Sequence, residues 1–120
     1  MNLKIDEGKK GEEIAESFLR KKGYKIIERN FRIKGGEIDI IASKDNVLVF
    51  VEVKTRKSAE FGSPLEAITY WKLKSLIKTA QYFKLSHPNL PEQLRIDAVS
   101  VELSDGKEIK IEHIENISGF

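Results

Sequence analysis

A chain of 120 residues holds one domain around one core, and 33% charged with 40% hydrophobic residues describes a soluble globular protein rather than a membrane protein or a disordered tail. The absence of cysteine excludes disulfides, thiolate zinc sites, iron-sulfur clusters and cysteine nucleophiles, and leaves His87 and His113 as the side chains for a borderline metal. A net charge of +2 admits a nucleic-acid partner without requiring one, so any basic surface must come from uneven distribution.

The segment Met1 to Lys10 is polar and mixed in charge, with no apolar stretch to act as signal peptide or anchor, so the expected location is the cytoplasm. No repeat, low-complexity segment or linker interrupts the chain, which reads as a single domain over residues 1–120. From Glu7 to Lys22, Ile14, Ala15, Phe18 and Leu19 recur at helical spacing, and Gly23 stands where a left-handed cap belongs. Tyr24 to Phe31 is rich in strand formers and is separated from Glu37 to Ser43 by the turn signal Lys34-Gly35-Gly36. A second turn at Lys44-Asp45-Asn46 leads into Val47 to Thr55, whose near-continuous Val, Leu and Phe content predicts a central strand buried on both faces.

Ser63-Pro64-Leu65-Glu66 carries a capping box with proline at the first helical position, predicting a helix that runs to about Leu85, with a break or bend at Ile68-Thr69-Tyr70-Trp71. His87-Pro88-Asn89-Leu90-Pro91 forces a loop. Leu94 to Leu103 alternates as a strand, and Ser104-Asp105-Gly106-Lys107 turns the chain into a last strand from Glu108 to Ile114. The order α-β-β-β-α-β-β predicts an α/β domain with a mixed sheet covered by helices.

Two strands contain residues that packing alone would exclude. Glu52 and Lys54 interrupt the apolar run of the central strand and, at a period of two, share a face roughly 7 Å apart. Either they form a structural ion pair at the strand end, or the cost of burying a carboxylate serves a function. Asp39 lies between isoleucines in the preceding strand, with Glu37 expected on its face. A hairpin centred near Asp45 would oppose Asp39 to about Val51, one step from Glu52. Two carboxylates that converge repel each other unless a cation lies between them, and an all-oxygen set suits Mg²⁺ or Mn²⁺. A lysine beside such an ion can orient water or oppose charge on a phosphoryl oxygen, so Asp, Glu and Lys together supply phosphodiester hydrolysis. Glu12 borders the apolar stripe of the first helix and could point toward the sheet. A solvated glutamate near a helix N-terminus is the alternative.

Asp39, then Glu52-Val53-Lys54 thirteen residues later, with Glu12 on the preceding helix, resembles the PD-(D/E)xK nuclease superfamily. More closely, Gly11-Glu12 through Ala15, Gly23-Tyr24, Asn30, Gly36-Glu37-Ile38-Asp39, Phe50 through Arg56, Phe61-Gly62, Pro64, Glu66-Ala67 and His113-Ile114 resemble the uncharacterised bacterial YraN family, from about Lys9 to the C-terminus. That family is similar to archaeal Holliday junction resolvases. The resemblance implies a restriction-endonuclease-like core in which Asp39, Glu52 and the Val53 carbonyl hold the metal, Lys54 is the catalytic lysine and Glu12 an auxiliary acid. Members of the superfamily cut duplex ends, branched junctions or RNA, and the expectation for this chain is DNA, branched or otherwise structured, in repair or recombination.

Arg56, Lys57, Lys72, Lys74 and Lys78 are candidate phosphate contacts beside that site. Phe61, Tyr70 and Trp71 could stack on bases, with core or interface packing as the alternative. Asp97 is expected to partner Arg95 or a lysine, and His87 and His113 are given no catalytic role. Two other readings remain: a non-catalytic nucleic-acid-binding module of the same fold, and an interaction domain whose buried charges set a homodimer interface.

Overall fold

Two helices cover opposite faces of one five-stranded sheet in the computed structural model, which describes residues 3–57, 64–103 and 108–119. The first helix, α1 (Leu3–Lys21), begins earlier than its apolar periodicity implied and ends as expected. Gly23 takes φ +95°, and the N–H groups of Gly23 and Tyr24 donate to the carbonyls of Arg20 and Leu19. The strands β1 (Lys25–Ile33), β2 (Gly36–Lys44) and β3 (Val47–Arg56) follow as a meander. A short 3₁₀ turn, Pro64–Ala67, precedes α2 (Tyr70–Ser86), and β4 (Gln93–Glu102) and β5 (Lys110–Ile114) complete the chain. The α-β-β-β-α-β-β order is the expected one.

The single long second helix is replaced by that 3₁₀ turn and α2, and the break falls within the predicted segment. Thr69 caps α2, its side chain accepting from the Lys72 N–H at 3.0 Å, because a threonine in extended conformation satisfies an orphan donor better than it continues a helix. Ser63 of the predicted capping box, Phe61 and the turn Ser104 to Lys107 lie outside the described residues.

Sheet order is β1-β2-β3-β4-β5, with β3 and β4 parallel and the other pairs antiparallel. Leu48, Val49, Phe50 and Val51 of β3 are fully buried, as a strand covered on both faces requires. Ile40, Ala42, Val49, Val51, Val99 and Val101 pack with Ala15 and Leu19 of α1. Ile38, Ile41, Leu48, Phe50 and Ile96 pack with Leu76, Ala80 and Phe83 of α2. Each large aliphatic or aromatic side chain so enclosed contributes about 1.5–3 kcal/mol.

One departure from strict alternation matters for the site. Ile38 and Ile41 both face α2 while Ile40 and Ala42 face α1, so β2 changes phase at Asp39. Across from it, between the pairs Arg29↔Ile40 and Phe31↔Ile38, Asn30 adopts φ 54°. Among the described residues, no helix is long and apolar enough to cross a membrane.

Candidate functional site

The β2–β3 hairpin determines what Asp39 meets. Asp45 and Asn46 both have positive φ, 51° and 63°, which makes a two-residue turn and pairs Lys44 with Val47. The turn centre therefore lies between these residues rather than on Asp45, and Ile40, not Asp39, pairs with Val51. Continuing that register sets Asp39 directly across from Glu52. Where the ladder ends, the Val53 N–H donates to Asp39 Oδ2 at 2.7 Å. Glu37 does not join this pair; it bonds Arg32 on the neighbouring strand at 3.4 Å.

Glu52 is buried, and two cations reach the same carboxylate oxygen. Lys54 Nζ lies 3.6 Å and Lys72 Nζ 3.5 Å from Glu52 Oε2. The ion pair expected between Glu52 and Lys54 is present, and α2 adds the second lysine. Among the described residues Asp39 has no such cation. Burial and then the charge of Glu52 push its carboxyl up from 3.8 to about 7, against the opposing hydrogen bond from Val53, and Glu12 adds to the effect.

Glu12 is held toward the sheet by Arg29, whose Nη2 donates to it at 3.3 Å while Nη1 donates to Glu16 at 2.7 Å. The glycine at position 11 permits this approach, since a Cβ there would collide with the Thr55 side chain on β3. Among the described residues no group of three or more His, Asp or Glu is spaced to hold a metal. The carboxylates that could serve a cation here are Asp39 and Glu52, with backbone oxygen such as the Val53 carbonyl and water to complete the set. This composition fits Mg²⁺ or Mn²⁺, which keep most of their water and take one or two carboxylates. The strain on Asp39, whose carboxyl burial and then Glu52 push up, is what a cation would relieve.

The other candidates scatter. Arg56 borders a separate hollow with Ser100, Glu102 and Lys110. Lys57 pairs with Glu7 at 3.3 Å. Lys74 and Lys78 stand on the outer side of α2, with the exposed Tyr70 and Trp71. Asp97 does partner Arg95, which grips both of its oxygens at 2.9 and 3.0 Å. His113 Nε2 lies 2.8 Å from Asp97 and the Asn116 N–H donates to it at 3.0 Å. Burial works to raise the Asp97 carboxyl, and the bonds from His113, Arg95 and Asn116 overcome it and hold it below 3.8. The other ring nitrogen of His113 takes Lys22 Nζ at 2.7 Å, so His113 belongs to a buried structural network. His87 stacks on Phe83 with centroids 3.9 Å apart.

Sequence reasoning gave Lys72 to the nucleic-acid surface and did not foresee its contact with Glu52. The signal was available. Lys72 is in helical phase with Leu76, Thr79 and Phe83, which the structure buries, so it sits on the inward stripe of α2. Arg29 was overlooked because nothing in β1 marks it as the partner of acids on α1.

Fold and site together define a small mixed-sheet α/β domain with an acidic pair where β2 parts from the central strand and two lysines, one from β3 and one from α2, on one of its acids. The model of the uncharacterised protein family UPF0102, the YraN family, matches residues 11–101, and the chain belongs to that family. It is 51% identical over 106 residues to a UPF0102 protein of Syntrophomonas wolfei, an alignment covering 88% of this chain and 91% of the relative. A UPF0102 protein of Chloroherpeton thalassium is 47% identical, over 89% and 83% of the two chains, and one of Flavobacterium psychrophilum is 45% identical, over 92% of each.

Proposed function

We propose that the protein is a divalent-metal-dependent endonuclease that hydrolyses phosphodiester bonds in DNA with branched or otherwise irregular structure, in the setting of repair or recombination. The observation that carries this reading is the convergence of Asp39 and Glu52 where the β2–β3 ladder ends, with two lysines on Glu52 Oε2. A stability argument alone would replace such a cluster with apolar residues.

Asp39, Glu52 and the Val53 carbonyl would hold Mg²⁺ or Mn²⁺, which when bound supplies Lewis acidity and activates water. Lys54, one third exposed, orients the attacking water or opposes the negative charge that grows on the phosphoryl oxygen. Lys72 fixes the orientation of the Glu52 carboxylate from α2, while Val53 N–H fixes Asp39. Arg56 and Lys57, two and three residues beyond Lys54 in the chain, would take phosphates that position the strand without reading its sequence, Lys57 by giving up its contact with Glu7. Cytoplasmic DNA is the matching substrate pool, and symmetric incision of a junction would call for a two-fold dimer.

The test is a panel of duplex, nicked, flapped and four-way-junction DNA incubated with Mg²⁺, with Mn²⁺ and with EDTA. Cleavage of a branched member that EDTA abolishes supports the proposal. Tight binding with every strand intact under both metals favours a non-catalytic binding module instead.

A further inference from the structure

The outer side of α2 carries a groove that the carboxylate pair does not use. Tyr70 and Trp71 are 64% and 74% exposed and touch edge to face at 5.1 Å. Leaving a tryptophan in water forgoes the large apolar burial that this side chain normally supplies. The Lys74 ammonium lies 5.3 Å from the centre of the Tyr70 ring and 6.0 Å from that of Trp71. Trp71, Lys74 and Lys78 follow one another at helical spacing and, with Ser75 and Gly35, line an open groove of about 470 Å³.

Its floor is fixed by the chain. The Ser75 hydroxyl donates to the Gly35 carbonyl at 3.0 Å, and Gly36 abuts Thr79 so closely that no side chain fits between them. No carboxylate lines the groove, and among the described residues neither Lys74 nor Lys78 is in an ion pair. Two cations, a fixed floor and exposed aromatic rings, with Lys74 able to exchange them for a phosphate, match a ligand that carries negative charge at regular intervals and offers planar rings between them. The groove and the site share α2, since Trp71 of the groove is followed in the chain by Lys72, whose ammonium lies 3.5 Å from Glu52.

We propose that this groove binds an unpaired nucleotide of the nucleic-acid substrate beside the Glu52 site, with the base stacked on Trp71 and its flanking phosphates on Lys74 and Lys78. The inference rests on the reading of the substrate as nucleic acid and narrows it to strands with a single-stranded segment, such as a flap, a gap or a splayed arm. Inside a continuous duplex both faces of a base are already stacked, and the indole has nothing to receive. A second copy of the chain fits less well. A two-fold contact centred on Trp71 would bring the Lys74 and Lys78 of each copy together, four like charges with no carboxylate in the lining to offset them.

Trp71 is the only tryptophan in the chain, so its fluorescence reports the groove directly. The full chain is titrated in EDTA with a short oligothymidylate and with a blunt duplex of equal length, which separates the groove from metal-dependent chemistry. Expected are quenching by the oligothymidylate, weaker binding of the duplex, and an affinity for the single strand that falls about tenfold in Trp71→Ala. Lys74→Ala and Lys78→Ala should each lower the slope of log affinity against log salt by about 0.7. All three side chains stand on the surface, so an unchanged melting temperature is the control. Binding without change in fluorescence, Trp71→Ala binding like wild type, or no binding of the single strand overturns the proposal. So does a dimer, seen by sedimentation without DNA, that is lost in Trp71→Ala. Quenching as expected, with no cleavage of any substrate in Mg²⁺, leaves the groove standing and removes only the nuclease.

Discussion

Replacing Asp39 with asparagine is expected to stabilise the metal-free protein by a gain that appears above about pH 4, where the unfolded carboxyl ionises, and levels off above about pH 7. In the folded state that carboxyl is pushed up from 3.8 to about 7, first by burial and then by Glu52. A raised carboxyl binds its proton more tightly in the folded chain than in the unfolded one, so its contribution is intact below about pH 4 and is lost as pH rises through 7. The gap corresponds to roughly 4 kcal/mol at a pH well above 7. Asparagine retains an oxygen to accept the Val53 N–H, so the 2.7 Å bond need not be orphaned. A gain of about 2–4 kcal/mol, on the order of 10 °C in Tm, is expected at pH 8 in EDTA, shrinking toward zero near pH 4. Thermal melts of wild type and variant across that range measure it. Excess Mg²⁺ should stabilise wild type at pH 8 and leave the variant unmoved. A variant less stable than wild type at every pH, or a difference that does not depend on pH, would mean that Asp39 is a brace for Val53 and would refute the reasoning.

Two further predictions concern the frame. Gly36→Ala should lose about 1–3 kcal/mol because its methyl group meets Thr79, and Thr79→Ala in the same chain should recover most of the loss, a coupling read from urea midpoints of the two single variants and the double. Asp97→Asn should cost about 3–5 kcal/mol by leaving Arg95 poorly paired. Because the Asp97 carboxyl is held low, the wild-type stabilisation from it persists above pH 4 or so and fades only as pH falls through its folded value, so acid-unfolding curves of the two proteins should converge at low pH.

What could be read from the residues follows from which interactions are local. Apolar alternation, the glycine cap after α1 and the turns at Gly35 and Asp45-Asn46 act within a few positions, and they placed every helix and strand of the sheet in order. The anomaly of Glu52, Lys54 and Asp39 was visible because charge in an apolar strand has a fixed cost wherever the strand lies. Register was harder. Shifting the turn centre by half a residue moves the partner of Asp39 from Val51 to Glu52, and no propensity distinguishes these. The phase change at Asp39 was not legible either, since it depends on Asn30 in another strand. Lys72 and Arg29 find their acids through tertiary packing, α2 onto the sheet and β1 beneath α1. The break before α2 was legible as a site of poor helix formers, though its outcome, Thr69 as cap, required the two helical pieces to be competing for the same residues.

Lys54 distinguishes groups around Glu52 that perform chemistry from groups that hold the sheet together. Single-turnover cleavage of whichever DNA of the panel is cut fastest, by wild type and Lys54→Ala in Mg²⁺ with DNA affinity measured alongside in Ca²⁺, is the direct measurement. The variant is expected to lose at least about 100-fold in rate while its affinity and melting temperature stay close to wild type, because the role proposed for Lys54 is to oppose charge on the phosphoryl oxygen and Lys72 still holds Glu52. A variant that cleaves at the wild-type rate, or one whose lost activity is matched by lost stability, would contradict that role.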